Sequence, residues 1–320
     1  MSLTSHLANS SSPVREFFAR RLPNTPAAPF LILPADPPSP SDQSESRFTT
    51  HQIWRPGDIQ VFPDAPDGFP WGGVGTAFDY RVRFFYSVTP VDELVAALGA
   101  LRIGDRSSRA GPVAFGELRE EIEPLIRSQS DLWAKRPQAE ERRLNQLCYV
   151  LALYEQCFRT LASPDWPLLR LGPKASLAEV AKLAEPRIVD DLVALSELYR
   201  QSPEPVLRGS PAILNPTFAA SAALGGADAD LILGRTLLDL KTTKKARPDR
   251  PTLWQLAGYA LSDFDDRYSI DSVGFYYARF GKTITWSLGE FLTQLAGQAV
   301  DLSELRKSFK RVLGPSITNR

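Results

Sequence analysis

Residues 226–241 read GADADLILGRTLLDLK, and the way this stretch folds decides the rest. Gly234 and Arg235 form a two-residue turn between two short apolar runs, glycine supplying the positive φ that a type II′ hairpin needs at its first central position. The turn fixes the register, with Asp230 opposite Asp239 and Asp228 opposite Lys241. Paired residues project to one side and each strand alternates with period two, so the four polar groups share one face. Ala229, Leu231, Leu238 and Leu240 share the other, which is apolar enough to bury against a helix. Ile232 and Leu237 extend an apolar contact beyond the acidic end.

Three carboxylates around one ammonium are a poor arrangement for stability alone, because like charges facing each other across a sheet repel. A divalent cation resolves the repulsion. Hard oxygen ligands suit Mg²⁺ or Mn²⁺, which take one or two carboxylates and keep several waters for exchange with phosphate oxygens. Asp230 and Asp239 are then candidate ligands, Lys241 reaches the same water or phosphate, and Asp228, on the same face, is a further ligand or a solvated residue where the strand begins. The bland alternative is the polar solvent face of an ordinary hairpin.

Asp230 followed by Asp239-Leu240-Lys241 resembles the signature of the PD-(D/E)xK nuclease superfamily, a strand aspartate and then an acidic residue, any residue and lysine on the next strand. Downstream, Gln255 and Tyr259 in LWQLAGYAL match the QxxxY helix of the RecB-like branch. Upstream, Gly75-Thr76-Ala77-Phe78-Asp79 resembles that branch's GxxxH helix, with Asp79 where the family has a histidine. The order GxxxD, D, DxK, QxxxY also agrees, over residues 75–88 and 215–290. The resemblance implies an α/β fold: a restriction-endonuclease-like mixed sheet core flanked by helices, with a large helical N-terminal and insertion region. It implies a Mg²⁺- or Mn²⁺-dependent nuclease acting on DNA, with Asp230, Asp239, Lys241, Gln255 and Tyr259 in the catalytic site and Asp230, Asp239, Asp79 and Asp228 as metal ligands. Gln255 and Tyr259 would support the lysine or contact the nucleic-acid backbone. A role in defence against foreign DNA or in repair also follows from the resemblance, and the sequence does not choose between them. The alternative is a catalytically inactive nuclease fold serving as a DNA-binding or assembly module, which the substitution at Asp79 keeps open.

Directly after the DxK strand come Lys244, Lys245, Arg247 and Arg250, a basic run at the mouth of the site that would meet phosphates there or simply solvate a turn. A second basic group, Arg306, Lys307, Lys310 and Arg311, reads as the solvated face of a terminal helix. Over the whole chain 37 basic and 37 acidic residues balance, so attraction to DNA must come from a local patch.

At 320 residues and 43% hydrophobic content the chain can bury a full core. The only histidines, His6 and His51, leave no material for a histidine metal site or a Ser-His-Asp triad. Cys148 and Cys157 sit in the apolar helical run LNQLCYVLALYEQCF and read as core; a four-cysteine zinc or iron–sulfur site and a disulfide framework are both excluded by the count. There is no signal-peptide pattern and no apolar run of membrane-spanning length, so the expectation is a soluble, cytoplasmic protein with no membrane partner. No P-loop motif is present, so a helicase or ATPase partner would be a separate chain.

Residues 13–22 read as a helix, followed from Pro23 to about Ser46 by a proline-rich linker. The glycines at 72, 73 and 75 match neither a P-loop nor a dinucleotide fingerprint and read as close packing at the start of a helix. Helical periodicity covers 91–101, 115–126, about 138–162 and 186–201. Strand character begins after Pro216: the hairpin, a helix over about 251–263 with Pro251 in its first turn, strands at 272–280 and 283–288 around a Gly281-Lys282 turn, then helices at 288–296 and 301–312. These divide into an N-terminal helix and Pro-rich segment (1–70), a mainly helical region packed on the core (71–205) and a nuclease-like core (206–320), taken together as one compact unit.

Overall fold

A computed structural model describes residues 2–24, 58–106, 112–160, 166–172, 174–208, 211–226, 229–245 and 248–314. The proline-rich segment beyond Asn24, His51, Asp228 and Arg247 lie outside the described residues. Contacts divide the chain into two compact units, one spanning Gln60–Ser202 and the other joining the N-terminal residues to everything from Pro203 onward. The N-terminal helices group with the sheet because of what they bury.

In chain order the elements begin with α1 (Leu3–Ala8) and α2 (Pro13–Arg21). The unit at 60–202 follows with α3 (Trp71–Arg83), a 3₁₀ turn at Val91–Glu93, α4 (Val95–Arg106), α5 (Pro112–Arg127), α6 (Gln138–Arg159), the short α7 (Pro167–Arg170) and α8 (Leu177–Ala181), and α9 (Pro186–Gln201). The sheet unit resumes with β1 (Ala212–Leu214), β2 (Leu231–Leu233), β3 (Thr236–Lys241), α10 (Arg250–Ser262), β4 (Ser272–Tyr277), β5 (Lys282–Ser287), α11 (Leu288–Ala296) and α12 (Leu302–Leu313).

In the helical unit α6 is central, packed by α3, α4 and α9. It buries Leu144, Leu147, Cys148, Leu151 and Tyr154, spaced three and four apart as a helix stripe requires. Its Glu140 and Glu141 lie in the first turn and Arg159 in the last, each on the favourable end of the helix dipole. Cys148 and Cys157 are unbonded and buried, as core residues. A Cβ at Gly73 would lie 3.2 Å from the Tyr149 ring, which gives that glycine its packing role. No helix among the described residues is long and apolar enough to cross a membrane.

The sheet runs β1-β2-β3-β4-β5. Antiparallel pairing joins β1 to β2, β2 to β3 and β4 to β5, whereas β3 and β4 are parallel and need the crossover that α10 provides. The fold is thus a mixed sheet flanked by helices. In the hairpin Leu231, Ile232 and Leu233 face Leu238, Leu237 and Thr236, the register expected from the turn, and Gly234 takes φ +62. Ile232, Leu237, Val273, Phe275, Tyr277, Ile284 and Trp286 form one core with residues of α1, α2, α10, α11 and α12. Phe17 and Phe18 pack on Phe309 at 5.2 and 5.4 Å between ring centroids, and the Trp254 indole N–H donates to the Leu22 carbonyl at 2.9 Å. Each such side chain contributes about 1.5–3 kcal/mol by burial, which ties the N-terminal helices to α10.

Three differences from the sequence reading have local causes. Helix α1 and strand β1 were not expected; six and three residues are too few to display a period. The face that packs on the helices is the one carrying Asp239 and Lys241, through Ile232 and Leu237, while Leu231 and Leu238 opposite are buried as well. Arg306 is not solvated: it is 7% exposed, donates from Nε and Nη2 to the Ala260 carbonyl at 3.3 Å and pairs with Asp266 at 2.8 Å. It satisfies a carbonyl left open near the C-terminus of α10.

Candidate functional site

Strand β3 ends at the site. Asp239 and Lys241 are two residues apart and so project from the same face, with Asp239 4% exposed and its Oδ2 2.5 Å from Lys241 Nζ. The two form a close ion pair that raises the Lys241 ammonium by charge and by hydrogen bonding, and this carboxylate oxygen is buried. Continuing the hairpin register by one pair sets Asp230 opposite Asp239. Its Oδ2 accepts the Leu240 backbone N–H at 2.6 Å, and its own carbonyl accepts from the Asn215 N–H at 3.0 Å, so the aspartate is anchored to the strands on both sides.

Helix α10 supplies the next layer. Its N-cap is Asp249, which accepts from the Thr252 N–H; the N-cap aspartate and Pro251 together explain why the helix starts there. One turn inward, Gln255 Oε1 accepts from Lys241 Nζ at 3.4 Å and Gln255 Nε2 donates to the Tyr259 hydroxyl at 2.8 Å. Tyr259 is buried and stacks on Phe218 at 6.3 Å. Asp239, Lys241, Gln255 and Tyr259 therefore form a continuous chain of contacts across β3 and α10.

The electrostatics centre on Lys241. Burial pushes its ammonium down, but Asp239 first, then Asp230 and Asp249, push it further up, and the net result lies above the ordinary lysine value. The Tyr277 hydroxyl, on the β4 residue paired with Lys241, is pushed up by burial and then by Asp239 and Asp249. Asp249 and Tyr277 escaped the sequence reading. An aspartate before Arg250-Pro251 is a readable N-cap signal; Tyr277 needed the β3–β4 pairing.

Asp79 lies on α3 in the helical unit. There its carboxylate pairs with Arg83, near Glu155, and burial holds its carboxyl above the usual range against the opposing effect of Arg83. Its contacts are thus inside that unit. Among the described residues no group of three or more His, Cys, Asp or Glu is gathered for a metal. The donors at the β2–β3 hairpin are two carboxylates, that of Asp239 buried against Lys241 and that of Asp230 beside it, and hard oxygen donors of this kind fit a Mg²⁺ or Mn²⁺ completed by water and substrate oxygens. Lys244, Lys245 and Arg250 are exposed, Arg250 with its guanidinium 5.8 Å over the Trp254 ring.

No family model, curated protein or solved structure matches this chain.

Proposed function

We propose that the chain is a Mg²⁺-dependent nuclease that hydrolyses phosphodiester bonds in DNA through a restriction-endonuclease-like core of the RecB-like type. The observation that carries this reading is the chain from Asp239 through Lys241 and Gln255 to Tyr259, with Asp230 just before β2 and bonded to the Leu240 N–H. These are the residues that the resemblance marks, and they meet through contacts that the motif spacing alone does not supply.

Asp230 and Asp239 would hold the ion, which when bound lowers the pKa of a coordinated water and offsets charge on the phosphoryl oxygens. Lys241 is held above its ordinary value, so it is a cation at neutral pH. It therefore serves as a donor and a fixed positive charge for phosphate oxygens rather than as a proton-accepting base. Gln255 turns an acceptor toward the ammonium and keeps it aimed. Lys244, Lys245 and Arg250 offer flanking charge to the DNA backbone. Defence against foreign DNA and repair, with or without a separate motor chain, would both use this chemistry.

A DNA-binding module without turnover is the second reading. One observation favours it: Asp79, at the position of the family histidine, is paired with Arg83. Incubation with linear and circular DNA in Mg²⁺, Mn²⁺ or chelator separates the two. Cleavage that needs the metal and disappears in a folded Lys241→Ala variant is the expected result. Binding without cleavage under every condition would establish the second reading instead.

A further inference from the structure

Thr4 stands 251 residues from Gln255 in the chain, and its Oγ1 lies 3.4 Å from Gln255 Nε2. The same nitrogen donates to the Tyr259 hydroxyl at 2.8 Å. A carboxamide has two N–H donors and one oxygen acceptor. With both donors directed at hydroxyl oxygens, the oxygen is left to face the Lys241 ammonium, as observed at 3.4 Å. The flipped amide would set an NH₂ group against that ammonium, which has no acceptor to offer.

Helix α1 has little freedom to leave this position. Leu3 and Leu7 are each 1% exposed, and a Cβ at Gly258 would lie 2.8 Å from Leu3 Cδ2, so α1 rests directly on α10 beside Gln255. Ser2 caps α1 by accepting from the Ser5 N–H at 3.1 Å, and Arg15 Nη1 donates to the Leu7 carbonyl at 2.5 Å, fastening α1 to α2.

We propose that Thr4 is a positioning residue: with Tyr259 it sets the rotamer of the Gln255 amide, which in turn aims Lys241 at the reacting phosphate. The inference rests on the nuclease reading for the identity of the reaction, and on the geometry alone for the amide.

Two variants of the full chain separate a hydroxyl effect from a packing effect. Thr4→Val keeps the shape and removes the acceptor, whereas Thr4→Ser keeps the hydroxyl and removes the methyl. With linear duplex DNA and Mg²⁺, Thr4→Val is expected to lower kcat about fivefold, the scale of one lost hydrogen bond, with KM unchanged. Thr4→Ser should stay within about twofold of the parent. Equal activity of Thr4→Val and the parent, or an equal loss in Thr4→Ser, would overturn the proposal. The side-chain amide ¹⁵N–¹H signals of Gln255, assigned with a Gln255→Glu variant, give a readout that needs no cleavage. They are expected to shift in Thr4→Val and to hold in Thr4→Ser. If the protein cuts no DNA, a shift of this kind still upholds the positioning of the amide, while an unmoved signal in Thr4→Val sinks it.

Discussion

Burial and three aspartates act on the Lys241 ammonium in opposite directions, and the aspartates win. The sign of the outcome sets a pH dependence. A lysine raised in the folded chain contributes stability that is complete below its unfolded value, about 10.4, and is lost as pH rises through the higher folded value. Stability is therefore expected to fall above about pH 10, and Lys241→Met should flatten that alkaline limb in urea melts. The same variant should be less stable than the parent at neutral pH, since Asp239 is 4% exposed and would keep a buried charge without its partner. A Lys241→Met protein whose alkaline limb matches the parent's would show that other groups control it. Asp230, Asp239 and Lys241 were drawn together by residue type and spacing, whereas Gln255 and Tyr259 entered through the resemblance to the QxxxY helix. Asp249 and Thr4 approach the site only because α10 brings Gln255 to Lys241 and α1 packs on α10, and no spacing of three or four residues signals a contact made across 251.

Helices α4 and α6 approach each other closely at Gly99. A Cβ on Gly99 would fall 1.8 Å from the Tyr154 carbonyl oxygen, and backbone cannot yield as a side-chain tip can. Gly99→Ala is therefore expected to push α4 off α6 and destabilise the helical unit by about 1–3 kcal/mol, the range for overpacked sites, visible as a lower thermal midpoint. An unchanged midpoint would mean that the two helices separate freely. In the sheet unit the hairpin was legible because a Gly at the first turn position leaves one register, and that register is found between β2 and β3. Helices α6, α9, α11 and α12 were likewise legible from their apolar period. Strand β1 was not: three residues with an intermediate burial pattern carry no alternation to read. Arg306 was misread for a related reason, since a basic residue at the edge of an amphipathic stripe resembles a solvated one until the carbonyl it caps comes into view.

Over the whole molecule, 37 positive and 37 negative side chains cancel, so any affinity for DNA comes from where the charges stand. Lys244 and Lys245 are exposed just past β3. Each phosphate neutralised contributes about −0.9 to the slope of log K against log salt on duplex DNA. Replacing both lysines with alanine is therefore expected to make that slope shallower by as much as about 2, measured by anisotropy in chelator so that cleavage does not intervene. A slope equal to the parent's would remove these residues from the interface. By itself the sequence determined the helical periods, the hairpin register and the alignment of Asp230, Asp239 and Lys241, because each depends on residues a few positions apart whose geometry the backbone dictates. Tertiary structure alone decided that β3 and β4 run parallel around α10, that the residues of α1 and α2 join the core beneath the site, and that Asp79 is spent on Arg83 within the helical unit. Those outcomes depend on which distant apolar surfaces find one another, and burial, unlike periodicity, leaves no mark at a fixed spacing along the chain.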